Sequence, residues 1–290
     1  MLRRTPTEPQ PEPADPRSLD DRSTRVDGRA SVRGAGTGRS PMRERLTAAG
    51  IHLLLSAIVG ACVAGVALLA WYPSPLPALL GVDAILLLVL AVDVILGPVF
   101  TLIVFDRGKR RLAWDLAAIA TLQVAALGYG LHTLYQGRPA FVVLVRDRFE
   151  VVSPAELGPE ARAAALGNPD AAIDPLRPRW VAARMPEAGP DRDLILLESV
   201  MHGRDVQHHP RLYIDLSTET AAALERALPI DRLRTLNPQR TEAVDAAIRA
   251  TGRDASALRY LPLRGPAADG AVLVGHPDGR ILGAVALDPW

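Results

Sequence analysis

The sequence predicts a membrane protein: three transmembrane α-helices followed by a small α+β domain. Three observations lead to this. The apolar residues of the 290-residue chain are concentrated between Leu46 and Leu134, in three runs. Each run is long enough for a hydrocarbon core that takes roughly 20 residues to cross. The third observation is the stretch 138–290, where apolar and polar residues mix and a separate core can form. The predicted organisation is therefore an arm (1–41), a three-helix membrane domain (42–137) and an outer domain (138–290).

Residues 1–41 are rich in Arg, Asp, Pro, Gly and Ser and hold no aromatic residue. Such a segment buries too little apolar surface to fold and reads as a disordered arm. Met42 is followed by RERLTAAGIHLLL, which is itself a natural start for a membrane protein, so the arm has the alternative of lying upstream of the true start.

The first span is expected at 46–70, an uncharged run preceded by Arg43 and Arg45. It exceeds the apolar core of a secretory signal, which is about 7–15 residues. Val59-Gly60-Ala61-Cys62 loosely resembles a lipobox, but VAGVALLA follows, where a mature lipoprotein starts with a polar linker. Cys62, the only cysteine, is assigned to packing and leaves no intrachain disulfide to form. Trp71 and Tyr72 suit the headgroup level, and Pro73, Pro75 and Pro77 end the helix.

The second span is expected at 79–105. Asp93 sits near its middle, and Gly97-Pro98 follows. A carboxylate at that depth costs on the order of 3 kcal/mol and faces protein or water instead of lipid. The Gly-Pro pair removes a backbone donor and predicts a helix kink that neighbouring helices must re-satisfy. The third span is expected at 112–134, closed by Gln136-Gly137-Arg138-Pro139.

Charge then sets topology. Arg43 and Arg45 precede span one, while Arg107, Lys109, Arg110 and Arg111 lie between spans two and three. The turn between spans one and two has no Lys or Arg. The positive-inside rule puts both basic clusters in the cytoplasm and the outer domain, in a bacterial envelope, in the periplasm.

Depth follows from a rise of about 1.5 Å per residue. Asp93 lies roughly 18 Å from the cytoplasmic end of its span, Gln123 roughly 16–17 Å and Ser56 roughly 15 Å. One intramembrane polar layer of Ser56, Asp93 and Gln123 is predicted, as glue between the helices or as a contact for another protein's membrane helix, with an ion path as a further alternative. His52 is placed within reach of Asp115 in depth.

In the outer domain, 141–145, 148–152, 194–197 and 212–214 read as strands. Residues 159–166, 218–228 and 239–251 read as helices, the last with Asn237 as a candidate cap. Residues 271–274 and 280–285 flank His276-Pro277-Asp278-Gly279 and read as a hairpin.

Catalytic chemistry has no foothold here. His202, His208 and His209 match no zinc spacing, and no metal, cofactor or catalytic residue is assigned. Neither a nucleophile elbow nor a phosphate-cradling loop is present, so the chain is expected not to be an enzyme. Balanced charge without basic-aromatic interleaving excludes a nucleic-acid footprint.

Several stretches together resemble a known family: Met42-Arg43-Glu44-Arg45-Leu46, Gly50-Ile51-His52-Leu53-Leu54, Trp71-Tyr72-Pro73, Val92-Asp93-Val94-Ile95-Leu96-Gly97-Pro98, Gly128-Tyr129-Gly130 and the closing Leu287-Asp288-Pro289-Trp290. They are similar to the TfpX/TfpZ family of type IV pilin accessory proteins, well over Met42 to about Val152 and loosely beyond. The extension before Met42 departs from the family pattern. The resemblance implies a bacterial inner-membrane protein, amino terminus cytoplasmic, that assists type IV pilin stability, assembly or surface expression. Its implied partners are the lipid bilayer and a pilin subunit or the pilus assembly machinery. The alternative from the residues alone is a membrane-anchored periplasmic ligand-binding or sensor module.

Overall fold

The computed structural model describes residues 41–290. The expected disordered arm, 1–41, lies outside the described residues except for Pro41, which opens a helix.

Helix α1 (Pro41–Val66) runs on through a π-helical turn, Ala67–Trp71. A short helix α2 (Leu76–Leu80) follows, and then α3 (Val82–Ala91), a second π turn (Val92–Leu96) and α4 (Gly97–Val104). Helix α5 spans Leu112–Gly137. The runs Met42–Trp71, Val82–Val104 and Leu112–Gly137 are long and apolar enough to cross a membrane. The shortest, 23 residues, extends about 35 Å at helical rise.

The start of the second run corrects the expected boundary. Gly81, at φ +66°, breaks the helix between Leu80 and Val82. That left-handed geometry suits glycine and ends α2 there. Leu79, expected to begin the span, is fully buried elsewhere: with Leu76 it packs in a core made of sheet residues, among them Val142, Leu263 and Val272.

The sheet has the order β4-β3-β1-β2-β6-β7-β8. Its strands are β1 (Phe141–Val145), β2 (Arg148–Val152), β3 (Arg179–Ala183), β4 (Tyr213–Asp215), β5 (Leu228–Pro229), β6 (Leu258–Arg264), β7 (Gly270–Gly275) and β8 (Ile281–Val285). The short β5 pairs with β6 off the main path. Pairs β1/β3 and β2/β6 are parallel and the others antiparallel, so the sheet is mixed. Both faces are covered. On β1, Val142 and Leu144 join the core that contains α2, while Phe141 and Val143 join a second core with Val181 and Tyr213. Burial on both sides explains why FVVLV reads as an unbroken apolar run instead of an alternating one.

Helices α6 (Pro159–Ala164), α7 (Pro190–His202), α8 (Thr220–Arg226), α9 (Ile230–Leu236) and α10 (Thr241–Thr251) complete the domain. Val244 and Ile248 of α10, with Ile230 and Leu233 of α9, cover Tyr260 and Leu273 of the sheet. The expected strand at 194–197 is instead the middle of α7. Its Pro190 at the first turn, Asp191 and Asp193 beside it, and Gly203 in the left-handed C′ position are helix punctuation that outweighs the four apolar residues. Asn237 does not cap α10 either. Its amide donates to the carbonyls of Leu233 (2.9 Å) and Asp288 (2.8 Å), and its Oδ1 accepts from Asp288 N–H at 3.0 Å. The closing Leu287-Asp288-Pro289-Trp290 is thereby fastened down, with Leu287 buried and Tyr260 Oη donating to the Pro289 carbonyl. Strands β7 and β8 form a hairpin, as their flanking turn predicts.

Candidate functional site

Asp93 lies in the π turn that comes just before Pro98. Proline offers no N–H to the carbonyl one turn back, and a single π turn is a common way for an apolar helix to absorb that loss. The turn carries Asp93 to a buried position, 6% exposed. Gly97 and Thr101 are buried on the same helix at spacings of four and eight residues, a stripe facing protein. Opposite it, α1 presents Ser56 and Gly60, both buried, and His52, whose Nδ1 lies 2.6 Å from Thr101 Oγ1. His52 therefore pairs with Thr101 and not Asp115, whose carboxylate takes Lys109 at 2.7 Å.

From α5, Gln123 Nε2 donates to the backbone carbonyl of Asp93 at 3.3 Å. The amide is seated against Gly97, where any Cβ would collide with Gln123 Nε2. A glycine at this point lets α4 and α5 approach closely.

The structure brings Ser56, Asp93 and Gln123 around one cavity of about 250 Å³, with His52 at its edge. Its walls are apolar: Leu55 and Val59 from α1, Val124 and Leu127 from α5. Leu55, Val59 and Val124 are exposed to the surroundings of the bundle, so the cavity is the floor of a lateral groove. One carboxylate oxygen, Asp93 Oδ1, is buried there without a hydrogen-bond partner. An unmatched acceptor in apolar surroundings is costly, on the order of 1–3 kcal/mol. Thr101 escaped the sequence reading, although a polar residue eight positions after Asp93 on an apolar helix is a readable signal.

The six basic residues singled out for topology gather at one end of the bundle. Arg45 reaches Asp106 at 3.7 Å, Arg107 meets Glu44 at 3.1 Å, and Arg43 accepts the Thr47 hydroxyl on its carbonyl. Arg110 and Arg111 are exposed beside Lys109 in the connection to α5. Exposed pairs of this kind contribute about 0–1 kcal/mol each, so their weight is in charge placement.

The other end of the bundle joins the sheet. Tyr72 is buried, and its hydroxyl donates to the Leu134 carbonyl at 2.7 Å, so it is a packing residue and not a headgroup one. Burial raises its pKa to about 12. The Arg138 guanidinium stacks 3.7 Å over the Tyr135 ring, and the Leu79 carbonyl accepts from Ala267 N–H at 2.9 Å.

A second, polar cleft lies between α6 and α7, lined by Glu156, Glu160, Glu198, Arg204, His208 and His209. His202 stands apart from it, exposed at the end of α7. Residues 206–208 form a 3-10 turn, and His209 lies 3.5 Å from Glu198. Burial lowers the His209 pKa, an effect the Glu198 carboxylate opposes. Among the described residues no group of three or more His, Cys, Asp or Glu side chains is arranged to hold a metal ion.

Residues 40–81 match the family model described as fimbrial assembly protein FimB. This segment holds α1, the Pro-rich turn that follows it and α2. The chain is 28% identical over 217 residues to a fimbrial assembly protein of serogroup I from Dichelobacter nodosus, covering 74% of this chain and 84% of that protein. The serogroup E1 protein of the same organism is 26% identical over the same extent. The protein of serogroups C1 and C2 is 34% identical over 110 residues, 37% of this chain and 84% of the relative. No solved structure matches the chain.

Proposed function

The chain belongs to the fimbrial assembly protein family, and from that premise we propose that it is a non-enzymatic accessory protein of type IV fimbriae, a TfpX/TfpZ-type protein of the bacterial inner membrane. In this reading the three apolar helices span the bilayer. The basic end of the bundle lies in the cytoplasm by the positive-inside rule, and the sheet domain lies in the periplasm. The chain assists the fimbrial subunit before or during its incorporation into the fibre.

The observation that carries the reading is the similarity over 84% of the length of the fimbrial assembly relatives. Geometry supports it. In this reading, as the TfpX/TfpZ resemblance implies, the fimbrial subunit waits in the membrane as an apolar helix with a head outside it. This chain offers a surface to each: a lateral groove in the bundle and a sheet domain seated on the bundle through α2. A partner bound at both places gains from the second contact as an intramolecular one.

Deletion in a fimbriated strain, with subunit transcription held constant, tests this. The expected result is loss of surface fimbriae, restored by the intact chain, with the subunit or assembly machinery recovered on the chain from crosslinked membranes. Normal fimbriation without the chain, or recovery of no fimbrial component, would overturn the reading.

A further inference from the structure

We propose that the groove between α1 and α5 seats one membrane-spanning helix of the fimbrial subunit, and that this helix presents a hydrogen-bond donor to Asp93. The inference rests on the reading above that the chain serves such a subunit.

Two independent features of the groove point to its occupant. The first is the floor. Asp93 is 6% exposed and its Oδ1 has no hydrogen-bond partner, while Gln123 Nε2 donates to the Asp93 backbone carbonyl and His52 lies against Thr101. The vacant acceptor calls for an N–H or O–H brought in from outside. The second is the walls. Leu55, Val59 and Val124 are 58%, 44% and 71% exposed, an apolar rim about the polar floor.

These features discriminate among ligands. A lipid acyl chain satisfies the walls but carries no donor. A water-soluble ligand carries donors but would have to traverse hydrocarbon to reach mid-span, roughly 18 Å from the helix end. A second copy of this chain in the groove is separated from the subunit by the crosslinks described below. An apolar helix bearing one hydroxyl, amide or protonated side chain at matching depth satisfies floor and walls together. The cavity, about 250 Å³, takes the side chain while the helix lies along the rim.

The test uses the full chain in membranes of a fimbriated strain, with a photoreactive residue at Leu55 or Val124. Leu87, 69% exposed on α3 and not lining the groove, is the control position. Crosslinks from Leu55 and Val124 to an apolar segment of the fimbrial subunit, and few from Leu87, are expected. Val124→Trp fills the groove from an exposed position and should remove the Leu55 crosslink at unchanged protein level. Asp93→Asn keeps an acceptor and should preserve the crosslink, whereas Asp93→Leu should lower it about three- to thirtyfold, the span for one interhelical hydrogen bond. If Asp93→Leu reduces the amount of protein, the Val124→Trp result decides. Adducts only with lipid, adducts with a second copy, equal yield from Leu87, or insensitivity to Val124→Trp would each overturn the proposal. Loss of the groove crosslinks while the subunit still co-purifies would sink the groove alone. Failure of both would sink the fimbrial reading with it.

Discussion

His209 is partly buried beside Glu198 while the nearby His202 stands exposed, and the difference sets how acid acts on the C-terminal domain. Burial holds its pKa below the ordinary value near 6.5. A base whose folded pKa lies under its unfolded one folds in the neutral form. Stability from this residue is then full above about pH 6.5 and lost as pH falls through the lower, folded value. Thermal unfolding of the purified protein between pH 8 and pH 5 should show a melting temperature that declines on the acid side. His209→Gln should flatten that decline; an unchanged acid limb would assign it to other groups. Asp93 poses the residue-scale question inside the bundle. Its depth follows from counting residues at helical rise. Gly97-Pro98 announces an irregular turn in the helix, but the direction in which the π turn aims Asp93 is set by packing, so the unmatched Oδ1 had to come from the fold.

Elements differ in how openly they are written. The three apolar runs stand out because length and polarity alone define them. The hairpin of β7 and β8 follows from Asp278-Gly279, since Gly279 takes a positive φ. By contrast, α7 was hidden behind four apolar residues whose strand-like run masked clear helix caps. Strand β6 was hidden by Pro262, a residue usually kept out of sheet interiors. The least legible element is α2. Leu79 and Leu80 continue the apolar run of the next helix, and only the backbone of Gly81 separates them. The separation has a measurable energy. Leu79 is fully buried, and Leu79→Ala should destabilise the outer domain by about 2–5 kcal/mol, the range for a core leucine. Gly81→Val should also destabilise, because a β-branched residue resists φ +66° and its Cβ would crowd Ala267. Denaturant melts of the two variants check both. Wild-type midpoints would show that α2 is not part of the folded core.

At the scale of the molecule, the proposed orientation makes a direct prediction. With Cys62→Ala as background, Gly108→Cys lies in the connection beside the basic cluster and Val200→Cys lies on exposed α7. In intact spheroplasts a membrane-impermeant thiol reagent should label position 200 and not position 108 until the cells are opened. The reverse pattern would invert the topology. The seat of α2 on the sheet has a mechanical side. Leu76 and Leu79 are held in the outer core, Gly81 turns the chain sharply, and α3 leads straight to the π turn at Asp93. The ten residues of α3 form a stiff rod about 15 Å long. One residue, Gly81, joins α2 on the sheet to α3 in the bundle, so the two halves meet here through a single backbone turn. Leu79 in the sheet core and Asp93 in the groove floor are thus the two ends of one short helical segment.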